Sequence, residues 1–289
     1  MKNLPNYPAP VDFSVRVKTA AIALFITLPI IIWGKRLPLF LLIGIVNIIG
    51  LKEFCNLTLP KKSSPLLLYP LLLSIIFLAW GYQSGNYLHD RSGPMYTVFS
   101  LTLITFLTFI FYLLNFLKFR YLSSPALIFL FGLFYITIPS FLVILIYSSK
   151  GGKWILLFIL TVVWIGDSGA YAIGRWLGRH PLYPAVSPKK TVEGSIGGLI
   201  FSLLATLTLQ RYLLPGLNLR DSLFLGLGIG ILAQLGDLSE SFIKRKAGVK
   251  DSGNVFPGHG GMLDRIDSLL FSVPFVYFYL WSFVQEFMS

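Results

Sequence analysis

The chain has 289 residues, 55% of them hydrophobic, 16% aromatic and 12% charged, with a mean hydropathy of +0.74. One or two soluble domains would fit the length, but this composition excludes an ordinary soluble protein. The formal charge of +12 does not point to nucleic acid, because the basic residues are spread over loops flanking apolar runs, where membrane topology accounts for them.

In chain order, NLPNYPAP reads as a short irregular leader. The first apolar run, starting near Thr19, lacks a small-residue cleavage site and predicts a retained helix. Cys55 is the single cysteine, which excludes an intrachain disulfide and a cysteine metal cluster. Uncharged runs cover 19–34, 37–51, 63–88, 92–117, 121–149, 154–166, 194–210, 222–236 and 268–285. A bilayer span takes about 20 apolar residues, so the shorter runs need a polar helix end or one intramembrane charge to cross. The expectation is an all-α integral membrane protein, a polytopic bundle of about nine transmembrane helices. About five spans fall in 1–150 and about four in a catalytic region, 151–289, with cytoplasmic loops at 178–194 and 246–263.

Alternating loops divide the basic residues unevenly. The face receiving the N-terminus and the segments near 52–62, 118–120, 175–193 and 244–265 holds 17 of the 24 lysines and arginines. The positive-inside bias places that face in the cytoplasm, with the N-terminus in and the C-terminus out. The sixth (about 153–177), eighth (about 221–245) and ninth (about 264–286) spans then carry their acidic residues near the cytoplasmic end, where nucleotides are available.

The sixth span contains Trp164-Ile165-Gly166-Asp167-Ser168-Gly169-Ala170-Tyr171, with Asp167 well inside the apolar stretch. Its small residues permit close helix packing. The loop that follows holds Ser187, Lys189, Lys190 and Thr191, whose hydroxyl and ammonium groups suit a triphosphate; a basic loop of this kind is also plain topology signal.

Residues 237–267, DLSESFIKRKAGVKDSGNVFPGHGGMLDRID, contain ten of the chain's 36 Asp, Glu, Lys and Arg residues. Asp237, Glu240, Ser241 and Lys244 share one helical face. An unpaired carboxylate at Asp237 would cost several kcal/mol in the apolar stretch. A hard cation removes that penalty; so does an intrahelical Glu240–Lys244 pair with Asp237 neutralised from a neighbouring helix. Glycines around His259 allow positive φ and close approach of backbone N–H groups to an anion. Asp264, in the first turn of the ninth span, is favoured by the macrodipole or serves as a second metal ligand opposite Asp237. Carboxylates, lysines, arginines and glycines at one membrane face point to phosphoryl or nucleotidyl transfer.

The run from Ser241-Phe-Ile-Lys-Arg to His259-Gly-Gly-Met-Leu-Asp-Arg-Ile-Asp267 resembles the signature of CDP-diacylglycerol synthases, the phosphatidate cytidylyltransferases. The segments GDSGAY, GR, GRH and VSPKKTVEG in 166–194 are similar to that family's second motif region, with Ser168 where other members often have Thr. Residues 1–150 match only as hydrophobic spans. The resemblance implies an integral membrane enzyme joining CTP and phosphatidate, with release of pyrophosphate and CDP-diacylglycerol for phospholipid biosynthesis. It implies Mg²⁺, with a second, monovalent cation such as K⁺, and a homodimer in a bacterial plasma membrane. Carried over by motif, Asp237 and Asp264 hold the metal. Lys244, Lys250 and His259 join them in the catalytic set, and Asp167, Ser187, Lys189, Lys190, Thr191, Arg245, Gly260, Gly261 and Arg265 form the substrate-binding set.

A phosphate monoester has a second pKa of about 6, so its attacking oxygen is already largely ionised and no dedicated base is required. The obstacle is bringing two polyanions together, which a metal ion and a basic loop offset. The rival expectations are a CTP-dependent polyisoprenol-type kinase, whose alcohol nucleophile needs a base, and a transporter, whose charges belong near the midplane between repeats.

Overall fold

The computed structural model describes residues 13–59 and 131–284, together with 71, 72, 74–76, 78, 79, 82 and 128. The expected third and fourth spans, 63–88 and 92–117, lie outside the described residues except for those few helical positions. Seven helices and one hairpin are described. They are α1 (Phe13–Ile32), α2 (Arg36–Thr58), a π-turn (Leu133–Thr137) running into α3 (Ile138–Ser148), α4 (Gly152–Leu177), β1 (Pro181–Tyr183), β2 (Ser187–Thr191), α5 (Val192–Leu213), α6 (Leu219–Lys246) and α7 (Leu263–Phe283). Among them α2, α4, α5, α6 and α7 are long and apolar enough to cross a membrane. The protein is a helical membrane protein.

Glycines set the closest helix contacts. Side chains on α5 fill the space left at Gly166 and Gly169 of α4, where a Cβ would collide with Ser202 and with the ring of Phe201. Small residues let the two backbones approach, which is how apolar helices gain packing energy where water cannot drive them together. Gln234 of α6 donates to the carbonyl of Ser195 on α5 at 3.0 Å, tying the third member to this pair. On the other flank, Asn47 of α2 donates to Thr137 at 3.1 Å and to Ser140 at 3.3 Å, across the π-turn and the start of α3.

Two departures from the sequence reading affect the site. The second apolar run was expected to end at 51, leaving Lys52 and Glu53 in a loop. Helix α2 instead continues to Thr58, with Glu53 buried. The segment 178–194 was expected as a plain loop. It forms an antiparallel hairpin pairing Pro181 with Thr191 and Tyr183 with Ser187, anchored by fully buried Val186. Prolines at 181, 184 and 188 forbid helix there, and Thr191 then caps α5 by accepting the N–H of Gly194 at 3.1 Å.

The helix directions bring particular segments to one end of the bundle. The Thr19 hydroxyl near the start of α1 lies 3.1 Å from the Pro257 carbonyl. Glu53 of α2 meets the start of α7, and Arg245 of α6 meets the hairpin through the Val186 carbonyl at 3.2 Å. At the opposite end, the Tyr147 hydroxyl of α3 donates to the Gly34 carbonyl at 2.5 Å.

Candidate active site

Two charged networks sit where the hairpin, α6, the 247–262 loop and α7 converge. In the first, Lys190 of β2 reaches α6 and pairs with Asp237 at 2.5 Å, both side chains about one-third exposed. Ser241 lies 3.3 Å from the other Asp237 oxygen. Asp167 of α4 and Asp267 of α7 are within electrostatic reach of Asp237, and Asp167 of Lys190 as well. Three helices thus bring carboxylates within reach of one another, with Lys190 beside Asp237 and Asp167 and Lys244 within electrostatic reach of Asp267.

The second network is more enclosed. Lys244 of α6 pairs with Glu240, one turn back on the same helix, and with Asp264 Oδ1 of α7 at 2.5 Å. Asp264 Oδ2 accepts from the Gly261 N–H at 2.7 Å, the Ser252 N–H at 2.9 Å and the Ser252 hydroxyl at 3.0 Å. Glu240 is completely buried and Lys244 nearly so. One cation lies between two carboxylates, in a place where an unpaired charge would be costly.

The remaining predicted site residues are distributed as follows. Lys189, Lys250 and Arg265 are exposed at the same end, and Ser187 is half-buried in β2. Arg245 is held by two backbone carbonyls, Val186 at 3.2 Å and Val249 at 3.0 Å, so it ties the hairpin to the loop. The PGHGG run is a tight turn closed by the Phe256 N–H to the Gly260 carbonyl at 2.9 Å, with Gly258 and Gly260 at φ 78° and 82°. The His259 N–H bonds back to the Phe256 carbonyl at 2.9 Å. The Gly261 N–H, expected to face an anion, is committed to Asp264.

Asp237 and Asp264, expected as opposing ligands of one metal, therefore belong to different networks, each with its own lysine. Of the ion-pair alternative left open for α6, Glu240 and Lys244 do form the intrahelical pair, while Asp237 is neutralised by Lys190 of the hairpin rather than by a neighbouring helix. The donor chemistry still fits a hard cation. Mg²⁺ is usually held by one or two carboxylates together with substrate phosphates and water. Asp237 is the accessible carboxylate of the pair, whereas Asp264 already accepts four hydrogen bonds. Among the described residues no group of three or more His, Cys, Asp or Glu side chains is close enough to hold a metal without further ligands.

Sequence reasoning missed Glu53. Its carboxylate accepts the N–H groups of Met262 at 3.0 Å and Leu263 at 2.9 Å, and lies 3.0 Å from the Ser252 hydroxyl. The available signal was an acidic residue at the end of an otherwise apolar span. Asp267, quoted within the signature but given no role, is the other omission.

An apolar helical bundle with lysine-paired carboxylates gathered at one end is suited to one class, membrane enzymes acting on phosphorylated substrates. Residues 14–283 match the cytidylyltransferase family, and the chain belongs to it. It is 38% identical to a phosphatidate cytidylyltransferase of Staphylococcus haemolyticus (strain JCSC1435) over 261 residues, covering 90% of this chain and 96% of that protein. The enzyme of the same name from Staphylococcus aureus (strain COL) is also 38% identical, over 264 residues with the same coverage. The chain is thus a nucleotidyltransferase, and the match extends through the N-terminal half, where the motifs alone gave no resemblance beyond hydrophobic spans.

Proposed function

We propose that the protein transfers a cytidylyl group from CTP to phosphatidate, producing CDP-diacylglycerol and pyrophosphate for phospholipid synthesis in a bacterial plasma membrane. The observation that carries this reading is the joining of the two motif regions at one end of the bundle, through Lys190–Asp237 and Lys244–Asp264. The similarity to phosphatidate cytidylyltransferases supports the substrate pair.

A phosphatidate phosphate oxygen forms a bond to the α-phosphorus of CTP, and the bond from that phosphorus to the bridging oxygen of the β-phosphate breaks. Pyrophosphate departs with the bonding electrons. No proton has to be removed from a nucleophile that is already ionised, so no residue is assigned as general base. Lys190 is placed to exchange its Asp237 contact for a phosphate oxygen, which lowers the repulsion between two polyanions. Exposed Lys189, Lys250 and Arg265 add positive potential around the same end. Mg²⁺, when bound at Asp237 with Asp264 as its second carboxylate, would neutralise charge on the transferring and leaving phosphates. Ser187 and Thr191 are assigned to phosphate contact, and His259 to ordering its turn or donating to a phosphate. In this reading the site faces the cytoplasm, and the acyl chains stay in the bilayer while the headgroup reaches the carboxylate cluster.

Detergent-purified protein given CTP, phosphatidate and Mg²⁺ should yield a lipid whose mass has grown by one cytidylyl group, with pyrophosphate in equal amount. A phosphorylated lipid lacking cytidine, formed from an added polyisoprenol, would overturn the reading in favour of a lipid kinase.

A further inference from the structure

The catalytic end is assembled from the C-terminal motifs, yet the segment carrying Asp264 is held by a side chain about two hundred positions earlier. Glu53 is 6% exposed and lies at the end of α2. One oxygen accepts the Met262 N–H, while the other accepts the Leu263 N–H and lies beside the Ser252 hydroxyl. The N–H groups at a helix start have no intrahelical acceptor, so Glu53 satisfies two donors that burial would otherwise leave unpaired. The Ser252 hydroxyl stands 3.0 Å from both Glu53 Oε2 and Asp264 Oδ2, so one side chain bridges the two carboxylates. Backbone packs tightly around this point. A Cβ on Gly253 would fall 2.8 Å from the Glu53 carboxyl carbon, and one on Gly261 would fall 2.6 Å from Glu53 Oε1. A side chain at either position would have to displace the Glu53 carboxylate.

We infer that Glu53 is a positioning residue for cytidylyl transfer. Acting through Ser252 and the first N–H groups of α7, it fixes the 251–263 segment so that Asp264 meets Lys244. The inference rests on the proposed participation of Asp264 and Lys244 in the reaction. It explains why an acidic side chain sits in an apolar helix: the carboxylate accepts the two buried N–H groups at the start of α7. Glutamine keeps the shape but offers one acceptor oxygen and an NH₂ group that opposes an N–H donor. Aspartate keeps the charge but is shorter by one methylene.

The test uses the full chain in detergent micelles, with hydrogen–deuterium exchange and turnover expressed per folded molecule. Glu53→Gln should speed exchange at the amides of Ser252, Met262 and Leu263 while α5 keeps its protection. It should lower kcat by about 10–100-fold, the usual loss when a supporting partner of a reactive group is removed. KM for CTP should move by less than about twofold, and Glu53→Asp should recover part of kcat. A merely structural role would reduce the folded fraction and leave kcat per folded molecule unchanged; that outcome, or unchanged exchange at those amides, overturns the inference. Should Glu53→Gln fail to accumulate, Ser252→Ala removes only the bridging hydroxyl and should lower kcat with the same local exchange pattern. Normal kcat in Ser252→Ala would overturn the relay. Normal turnover in Asp264→Asn would instead refute the reading of the site, and the exchange pattern tells that failure apart from failure of the Glu53 contact.

Discussion

Lys244 offers the sharpest separation between a lysine that stabilises the fold and one that serves the reaction. Its side chain is 11% exposed and lies between Glu240, which is 0% exposed, and Asp264, at 6%. Lys244→Ala leaves two buried carboxylates without their cation. Removing one partner of a buried ion pair costs about 3–5 kcal/mol. At about 1.4 kcal/mol per decade, the folding equilibrium shifts by roughly two to three and a half orders of magnitude. Much of that cost comes from the abandoned charge rather than from lost attraction. Neutralising Glu240 at the same time should therefore restore much of the stability, so Glu240→Gln/Lys244→Met is expected to unfold close to the wild-type midpoint. Turnover should not return, because Asp264 has lost the ammonium that holds it in the site. The assay is denaturant unfolding in mixed micelles, followed by cytidylyl transfer on the folded fraction of each variant. A wild-type midpoint in Lys244→Ala would refute the buried-pair energetics, and full turnover in the double variant would remove Lys244 from the reaction.

Four further outcomes follow from the same geometry. Asp237→Asn should unfold like the wild type, since Asp237 is about one-third exposed and secures no buried backbone group, yet turnover should be lost at every Mg²⁺ concentration; titration of rate against Mg²⁺ checks this. Lys190→Ala should change stability by less than about 1 kcal/mol, as expected for a partly exposed pair, while lowering kcat/KM for CTP about tenfold or more; steady-state kinetics beside an unfolding curve measure both. Gly169→Val should destabilise by about 1–3 kcal/mol, because its Cβ meets the Phe201 ring between α4 and α5; the unfolding midpoint reads this directly. Tyr279→Phe removes a 2.8 Å hydrogen bond to Asp221 on α6, at the end where α7 finishes. It should cost about 1 kcal/mol and leave turnover unchanged, which the same pair of assays tests.

The site was legible in the sequence to the extent that charge is expensive in an apolar helix. Asp167, Asp237 and the 237–267 segment stand out for that reason, and α4, α6 and α7 begin and end within a few residues of the expected spans. What the sequence could not show was pairing. Asp237 and Asp264 share a motif but not a network, because Lys190 arrives from the hairpin and claims Asp237 while Lys244 claims Asp264. The hairpin itself was obscured, since SPKKT lacks the apolar alternation that marks a half-buried strand. Glu53 was hidden by distance along the chain: its partners lie 199 to 210 positions away, and no local periodicity records such a contact. Extending α2 by two turns past its last uncharged run was enough to move it from an expected loop into the core.

The measurement that bears most directly on the central claim follows phosphorus from CTP. The purified protein would be supplied with phosphatidate, Mg²⁺ and CTP labelled in either the α- or the γ-phosphate. Cytidylyl transfer requires α label in the lipid product and γ label in pyrophosphate. Gamma label entering a lipid, with none from the α position, would contradict it.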